Sequence, residues 1–299
     1  MRTDGDSWDI VTSVGLTALG VAAFRALESI DPEPMIHDEY AAWFVEAAGE
    51  PRFVDMLEDP ASVPVGPFGR FMGVRTRFFD EFFAAAWQRG VRQAVILASG
   101  LDARAYRLDW PAGMVVFEID QPRVLEFKDR VLAQHGAVFK ADRRVLAVDL
   151  RDDWPAALTA AGFDPERPAA WSAEGLLPFL PGSAHDALFE RIDALSAPGS
   201  SVATDDFGRG LDSHDFDTEE KFFGGNPFGN LNVGDLWYDD TRAEPEDWLS
   251  RHGWSVHHAS PFDLAADYGR PITDLPADLP EALLDRMRQP RYVSAEKRS

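Results

Sequence analysis

Short apolar runs alternate with longer amphipathic stretches along most of this chain, and the alternation sets in abruptly after Gly90. Before that point the spacing of apolar residues predicts helices. One covers residues 8–29. A second covers residues 37–48, with Tyr40, Phe44 and Ala47 at helical intervals. A third covers residues 68–89 and aligns Phe71, Phe78, Phe82, Phe83 and Trp87 on a strongly aromatic face. Pro32 and Pro34 break the first from the second, residues 60–67 read as loop, and Gly90 supplies a helix stop.

After Gly90 the period changes. Residues 94–98 are wholly apolar and run into Ser99 and Gly100, the pattern of a strand buried on both faces; residues 114–119 and 145–148 repeat it. Residues 169–173 and 200–204 give weaker fourth and fifth strands, and 254–258 and 291–295 two more. Helical stretches at 121–135, 153–161 and 184–195 separate strands two to five, and a short helix at 245–252 precedes the sixth. This alternation predicts an α/β fold with a doubly wound, mostly parallel, seven-stranded sheet. Residues 207–244 interrupt it with Gly, Asn, Asp and aromatic residues and no period, as a lid, binding loop or small insertion does. The organisation expected is one structural unit. Residues 1–90 form a helical cap and lead-in, and residues 91–299 an α/β domain with a lid-like insertion at about 207–245, after strand five.

Charge narrows the function. With 29 basic against 51 acidic residues the net charge is −22, which disfavours nucleic acid and anionic membrane as partners. The absence of cysteine removes disulfides, thiolate zinc sites and cysteine nucleophiles, and fits a cytoplasmic location. The apolar run at residues 10–24 is shorter than the roughly 20 residues of a spanning helix. Asp4, Asp6 and Asp9 before it oppose the basic flank of a signal peptide. His37, His185, His214, His257 and His258 are scattered without ligand spacing, so no metal site is expected.

Candidate chemistry sits where open α/β sheets bind ligands, beyond the carboxyl ends of the strands. Gly100 follows strand one and permits close backbone approach. Asp120 ends strand two, twenty residues on, where a carboxylate can accept hydrogen bonds from both hydroxyls of a ribose. Asp149 and Leu150 follow strand three and suit an adenine amino group and ring face. Each also has a plain structural reading: Gly100 as a turn residue, Asp120 as a helix cap. Taken together they suit an adenosine ligand. The lack of the further glycines of a G-x-G-x-x-G turn counts against a pyrophosphate, which favours S-adenosyl-L-methionine over NAD.

The segments QAVILASGLDARAYRL (93–108), FEIDQPRVLEFK (117–128), VDLRDDWPAAL (148–158) and WSAEGLLPFLP (171–181), with WDIVTSVGLTALGVAAFRA (8–26), resemble the leucine carboxyl methyltransferase family. The likeness is to its bacterial branch of S-adenosyl-L-methionine-dependent methyltransferases. It covers most of the chain and is weakest across residues 208–243 and at the C-terminus. The resemblance implies a class I methyltransferase-like Rossmann fold, S-adenosyl-L-methionine as cofactor, and oxygen, carboxyl or hydroxyl, as the methyl-accepting atom. It places the cofactor against the turn from Ala98 to Gly100, where the family's usual turn has glycine at the position of Ala98. It puts Asp120 on the ribose, Asp149 and Leu150 beside the adenine, and Glu174 near the amino-acid end. Arg75, which aligns better than Arg77, pairs with the methionyl carboxylate. Glu174 as a brace for strand four and Arg75 as a stacking residue are the plain alternatives. Arg104 and Arg107 are expected to pair with neighbouring carboxylates and hold the turn.

Residues 8–26 lie outside the sheet yet match the family, so they are expected to fold over the site as a cap. Loss of residues 1–30 should then remove activity more than stability. Phe222, Phe223, Phe228, Trp237 and Tyr238 either line an acceptor pocket or pack the insertion. The partner expected is a small-molecule methyl acceptor. Rival readings are an NAD-dependent oxidoreductase, which lacks a Tyr-x-x-x-Lys dyad here, and a non-catalytic S-adenosylmethionine-binding protein. No residue stands out as a general base.

Overall fold

The computed structural model describes residues 13–60, 68–206, 226, 228–238, 242–273 and 275–298. Seven strands form one sheet in the order β3-β2-β1-β4-β5-β7-β6. They are β1 (Gln93–Leu97), β2 (Val115–Asp120), β3 (Asp142–Ala147), β4 (Ala170–Ala173), β5 (Ser201–Asp206), β6 (Trp254–Ala259) and β7 (Arg291–Lys297). The first five are parallel, and β7 runs antiparallel between β5 and β6. Strand order reverses at β1, which pairs with β2 on one side and β4 on the other, so a crevice opens beyond its carboxyl end.

Alternate residues of each strand face opposite layers. Ala94, Ile96 and Val116 meet the helices α1 (Ser13–Ile30), α2 (Glu39–Ala48), α3 (Pro51–Glu58), α4 (Phe68–Gln88), α5 (Arg104–Arg107) and α6 (Pro122–Gln134). Val95, Leu97, Phe117 and Ile119 meet α7 (Trp154–Ala160), α8 (Gly182–Ala194) and α9 (Pro245–Arg251). The first helices are therefore the covering layer of one sheet face. Leu19, Ala22 and Ala23 of α1 are fully buried in the largest core. That corrects the expectation for loss of residues 1–30: removing α1 opens this core, so stability falls together with activity.

Strand three differs from its expected character. It begins at Asp142 rather than residue 145, and as an edge strand it is half exposed, with Val145 38% accessible. Its apolar run reads like a doubly buried strand, yet of the strand's residues only Leu146 is buried. Three short helices of seven or eight residues, α3, α10 (Pro261–Asp267) and α11 (Glu281–Met287), add to the elements expected from the sequence. No helix among the described residues is long and apolar enough to cross a membrane.

Candidate functional site

The carboxyl ends of β1 to β5 open into a cavity of about 430 Å³, roofed by α1 and by the described part of the 207–245 insertion. Its volume lies within the roughly 300–1,000 Å³ of small-molecule sites. Arg75, Ala98, Gly100, Asp120, Asp149, Leu150 and Glu174 all line it.

The turn after β1 is bent sharply. Gly100 has φ +47°, and Ala98 has φ +50°, the one non-glycine residue with positive φ among the described residues. An alanine there carries roughly 1–2 kcal/mol of left-handed strain. Asp120 clamps the turn: its carboxylate accepts the Gly100 N–H and its own neighbour Gln121 N–H, both at 2.6 Å. Each oxygen keeps a second lone pair for the cavity. Burial pushes this carboxyl above its ordinary value, although both N–H bonds pull the other way. Asp120 does not cap α6, whose N-cap is Gln121.

Asp149 is held differently. Burial raises its carboxyl pKa, but bonds from the Arg151 side chain (2.7 Å) and backbone N–H (2.9 Å), with one from Gln121 Nε2 (3.0 Å), outweigh it and leave the group below the usual range. Leu150 lies beside it on the same wall.

At the opposite end, Arg75 Nε of α4 donates to Glu174 Oε1 at 3.0 Å and lies 3.3 Å from Asp205 Oδ2. The other oxygen of Glu174 accepts from Arg104 Nη1 at 2.7 Å, so the residue braces the turn after β4 as well as lining the cavity. Gly175 follows with φ +62°, and any Cβ there would stand 2.6 Å from Arg75 Nη2, so only glycine fits beside the guanidinium. Arg77, the alternative to Arg75, lies on the outer face and pairs with Glu81 at 2.9 Å. Arg104 and Arg107 hold the turn as expected, gripping Asp80 at 2.7 and 2.6 Å.

Two positioning contacts went unread in the sequence. Arg25 of α1 binds Asp38 (2.8 Å) and the Leu101 carbonyl (2.7 Å), tying the cap to the β1 turn. Lys128, fully buried, pairs with Glu118 at 2.7 Å and donates to the Asp102 carbonyl at 2.9 Å. Both span distant segments, and no local pattern announces them.

The roof is apolar. Phe228 packs edge-on to Phe24 and Phe53, with ring centroids 6.4 and 6.1 Å away, and Arg52 Nη1 donates to the Asn226 carbonyl at 2.9 Å. The Tyr238 N–H donates to the Pro178 carbonyl at 3.0 Å. Phe228, Trp237 and Tyr238 line the cavity; Phe222, Phe223 and His214 lie outside the described residues. No group of three or more His, Cys, Asp or Glu among the described residues is arranged to hold a metal ion.

This donor set fits an adenosyl amino acid. It offers a carboxylate at the β2 end for a diol, a carboxylate with an apolar neighbour at the β3 end for a purine, and a guanidinium between carboxylates for a zwitterion.

Comparison with known proteins agrees. The model of the leucine carboxyl methyltransferase family matches residues 18–193. A Rhodococcus jostii protein named "Putative S-adenosyl-L-methionine-dependent methyltransferase" is 63% identical over 298 residues, covering 99% of this chain and all of that one. A Mycobacteroides abscessus protein of the same name is 52% identical over 298 residues, covering 98% of this chain and 96% of that one. A Thermobifida fusca crystal structure described as a methyltransferase superposes with a TM-score of 0.53 at 16% identity, covering 94% of each chain, and shows the shared fold. The chain belongs to the leucine carboxyl methyltransferase family and is an S-adenosyl-L-methionine-dependent methyltransferase.

Proposed function

We propose that this enzyme methylates an oxygen, carboxylate or hydroxyl, of a small and largely apolar acceptor. The observation behind this reading is the division of the cavity. Its polar groups gather at the strand ends, while the roof toward α1 and the insertion presents Val14, Phe24, Phe228, Trp237 and Tyr238. In this reading Asp120 holds the ribose hydroxyls, Asp149 and Leu150 flank the adenine, and the β1 turn at Ala98 and Gly100 meets the cofactor through its backbone. Arg75 and Glu174 hold the methionyl end.

The bound cofactor supplies an activated methyl group for in-line displacement. The protein's task is then orientation, which supplies several kcal/mol when the reacting atoms are held collinear. A carboxylate acceptor is already nucleophilic and needs no base, whereas a hydroxyl must lose a proton as it attacks. The apolar roof strips water from the acceptor and leaves its polar atom facing the strand ends.

The test is the product and its pH profile. With methyl-labelled cofactor and a mixed metabolite extract, the label is expected on oxygen, with a rate insensitive to EDTA. For a carboxylate acceptor that rate stays level above the acceptor's own pKa. Label on nitrogen or carbon would refute the acceptor class, and loss of activity in EDTA would refute metal independence.

A further inference from the structure

A chain of buried ion pairs runs along one side of the cavity and ends with a carboxylate to spare. Arg107 and Arg104 both bind Asp80; Arg104 also binds Asp102 and Glu174; Arg75 binds Glu174 and Asp205. Three guanidinium groups therefore serve four carboxylates. At the far end of this chain from Asp205, Asp38 pairs with Arg25 and lies 3.9 Å from Arg107, and Glu118 is shared by Lys128 and Arg143. Asp205, the terminal member, is 2% exposed and lines the cavity. Its ion pair, 3.3 Å from Arg75 Nε, is longer than the 3.0 Å bond which that nitrogen gives Glu174.

Nothing else beside Asp205 among the described residues brings a positive charge. The Gly175 N–H donates to both its oxygens, at 2.8 and 3.0 Å, and this donor carries no net charge. Tyr292, its partner across the β5–β7 ladder, also lines the cavity. Burial pushes the phenol far above its ordinary value and keeps it protonated, and its hydroxyl donates to the Phe71 carbonyl at 3.3 Å. A buried carboxylate without a full counter-charge is costly, and a cationic ligand offsets that cost. S-adenosyl-L-methionine carries an ammonium and a sulfonium against one carboxylate, so it enters with a net positive charge.

We propose, resting on the cofactor placement given above, that Asp205 is the receptor for the cofactor's positive charge, the second acid of the methionyl end beside Glu174. A pairing with the sulfonium would also favour the reactant over the demethylated product, which has lost that charge; a pairing with the ammonium would not.

The test is a calorimetric titration of Asp205→Asn, which keeps an acceptor for the Gly175 N–H and removes the charge. Three ligands are compared: S-adenosyl-L-methionine, S-adenosylhomocysteine and 5′-methylthioadenosine, which has the nucleoside but neither cationic centre. Affinity for S-adenosyl-L-methionine should fall roughly 10- to 100-fold, as for loss of a charge-assisted bond, while that for methylthioadenosine changes little. A greater loss for S-adenosyl-L-methionine than for S-adenosylhomocysteine puts Asp205 on the sulfonium, and an equal loss for those two puts it on the ammonium. Asp205→Glu keeps the charge and should keep the preference over methylthioadenosine. Unchanged affinity for S-adenosyl-L-methionine in the Asn variant, an equal loss for all three ligands, or loss of the preference in the Glu variant would overturn the proposal.

Discussion

Replacing Arg75 by methionine should lower the melting temperature by on the order of 10 °C at neutral pH. The guanidinium is buried, with its side chain 9% exposed, and lies between Glu174 and Asp205. Removing one member of a buried ionic cluster leaves uncompensated charge and costs about 3–5 kcal/mol. At this chain length each kcal/mol moves the midpoint by about 2–4 °C. The effect has a pH signature. Burial already holds the Asp205 carboxyl above its ordinary value, against the pull of Arg75, and loss of that pull raises it further. A carboxyl whose folded pKa exceeds its unfolded value destabilises the fold fully above the folded pKa, and the penalty fades as pH falls toward the unfolded value. The gap between variant and parent should therefore narrow in acid. A gap that widens there would mean that the carboxylates are not the source.

The second large effect concerns binding. Asp120→Ala should weaken S-adenosylhomocysteine by roughly 1.5–3 kcal/mol for each lost hydrogen bond to a charged group, at least a tenfold rise in Kd. The same carboxylate holds the Gly100 and Gln121 N–H groups, so the alanine variant also loosens the β1 turn. Asp120→Asn, which keeps one carbonyl acceptor, should lose less. Equal affinities in parent and alanine variant, measured by calorimetry, would remove Asp120 from the ribose.

Much of this site was legible in the sequence because its residues follow buried strands. A strand covered on both faces must be an unbroken apolar run, so its end is marked by the first glycine or acid. Gly100, Asp120 and Asp149 were found in that way, and Glu174 and Arg75 through family likeness. The same rule fails where burial is lopsided. The edge strand β3 opens with Asp142, Arg143 and Arg144, and its start was read three residues late. Asp205 carries no such mark, because the apolar pattern of β5 stops at Thr204 while the strand continues through Asp205 to Asp206. What no local pattern holds is the pairing of Arg75 with Glu174, 99 residues apart, or of Arg25 with the Leu101 carbonyl. Those contacts arise from packing α1 and α4 over the sheet, and they turn separate strand-end residues into one charged wall.

The account's central claim, an adenosyl-amino-acid site at the strand ends, is tested most directly by the melting temperature of the purified protein with added nucleotides. S-adenosylhomocysteine binds the native state and should raise it, by the equivalent of about 2.7 kcal/mol at a hundredfold excess over Kd. NADH, whose pyrophosphate finds no glycine-rich cradle after β1, should leave it unchanged. Stabilisation by NADH but not by S-adenosylhomocysteine would contradict the account.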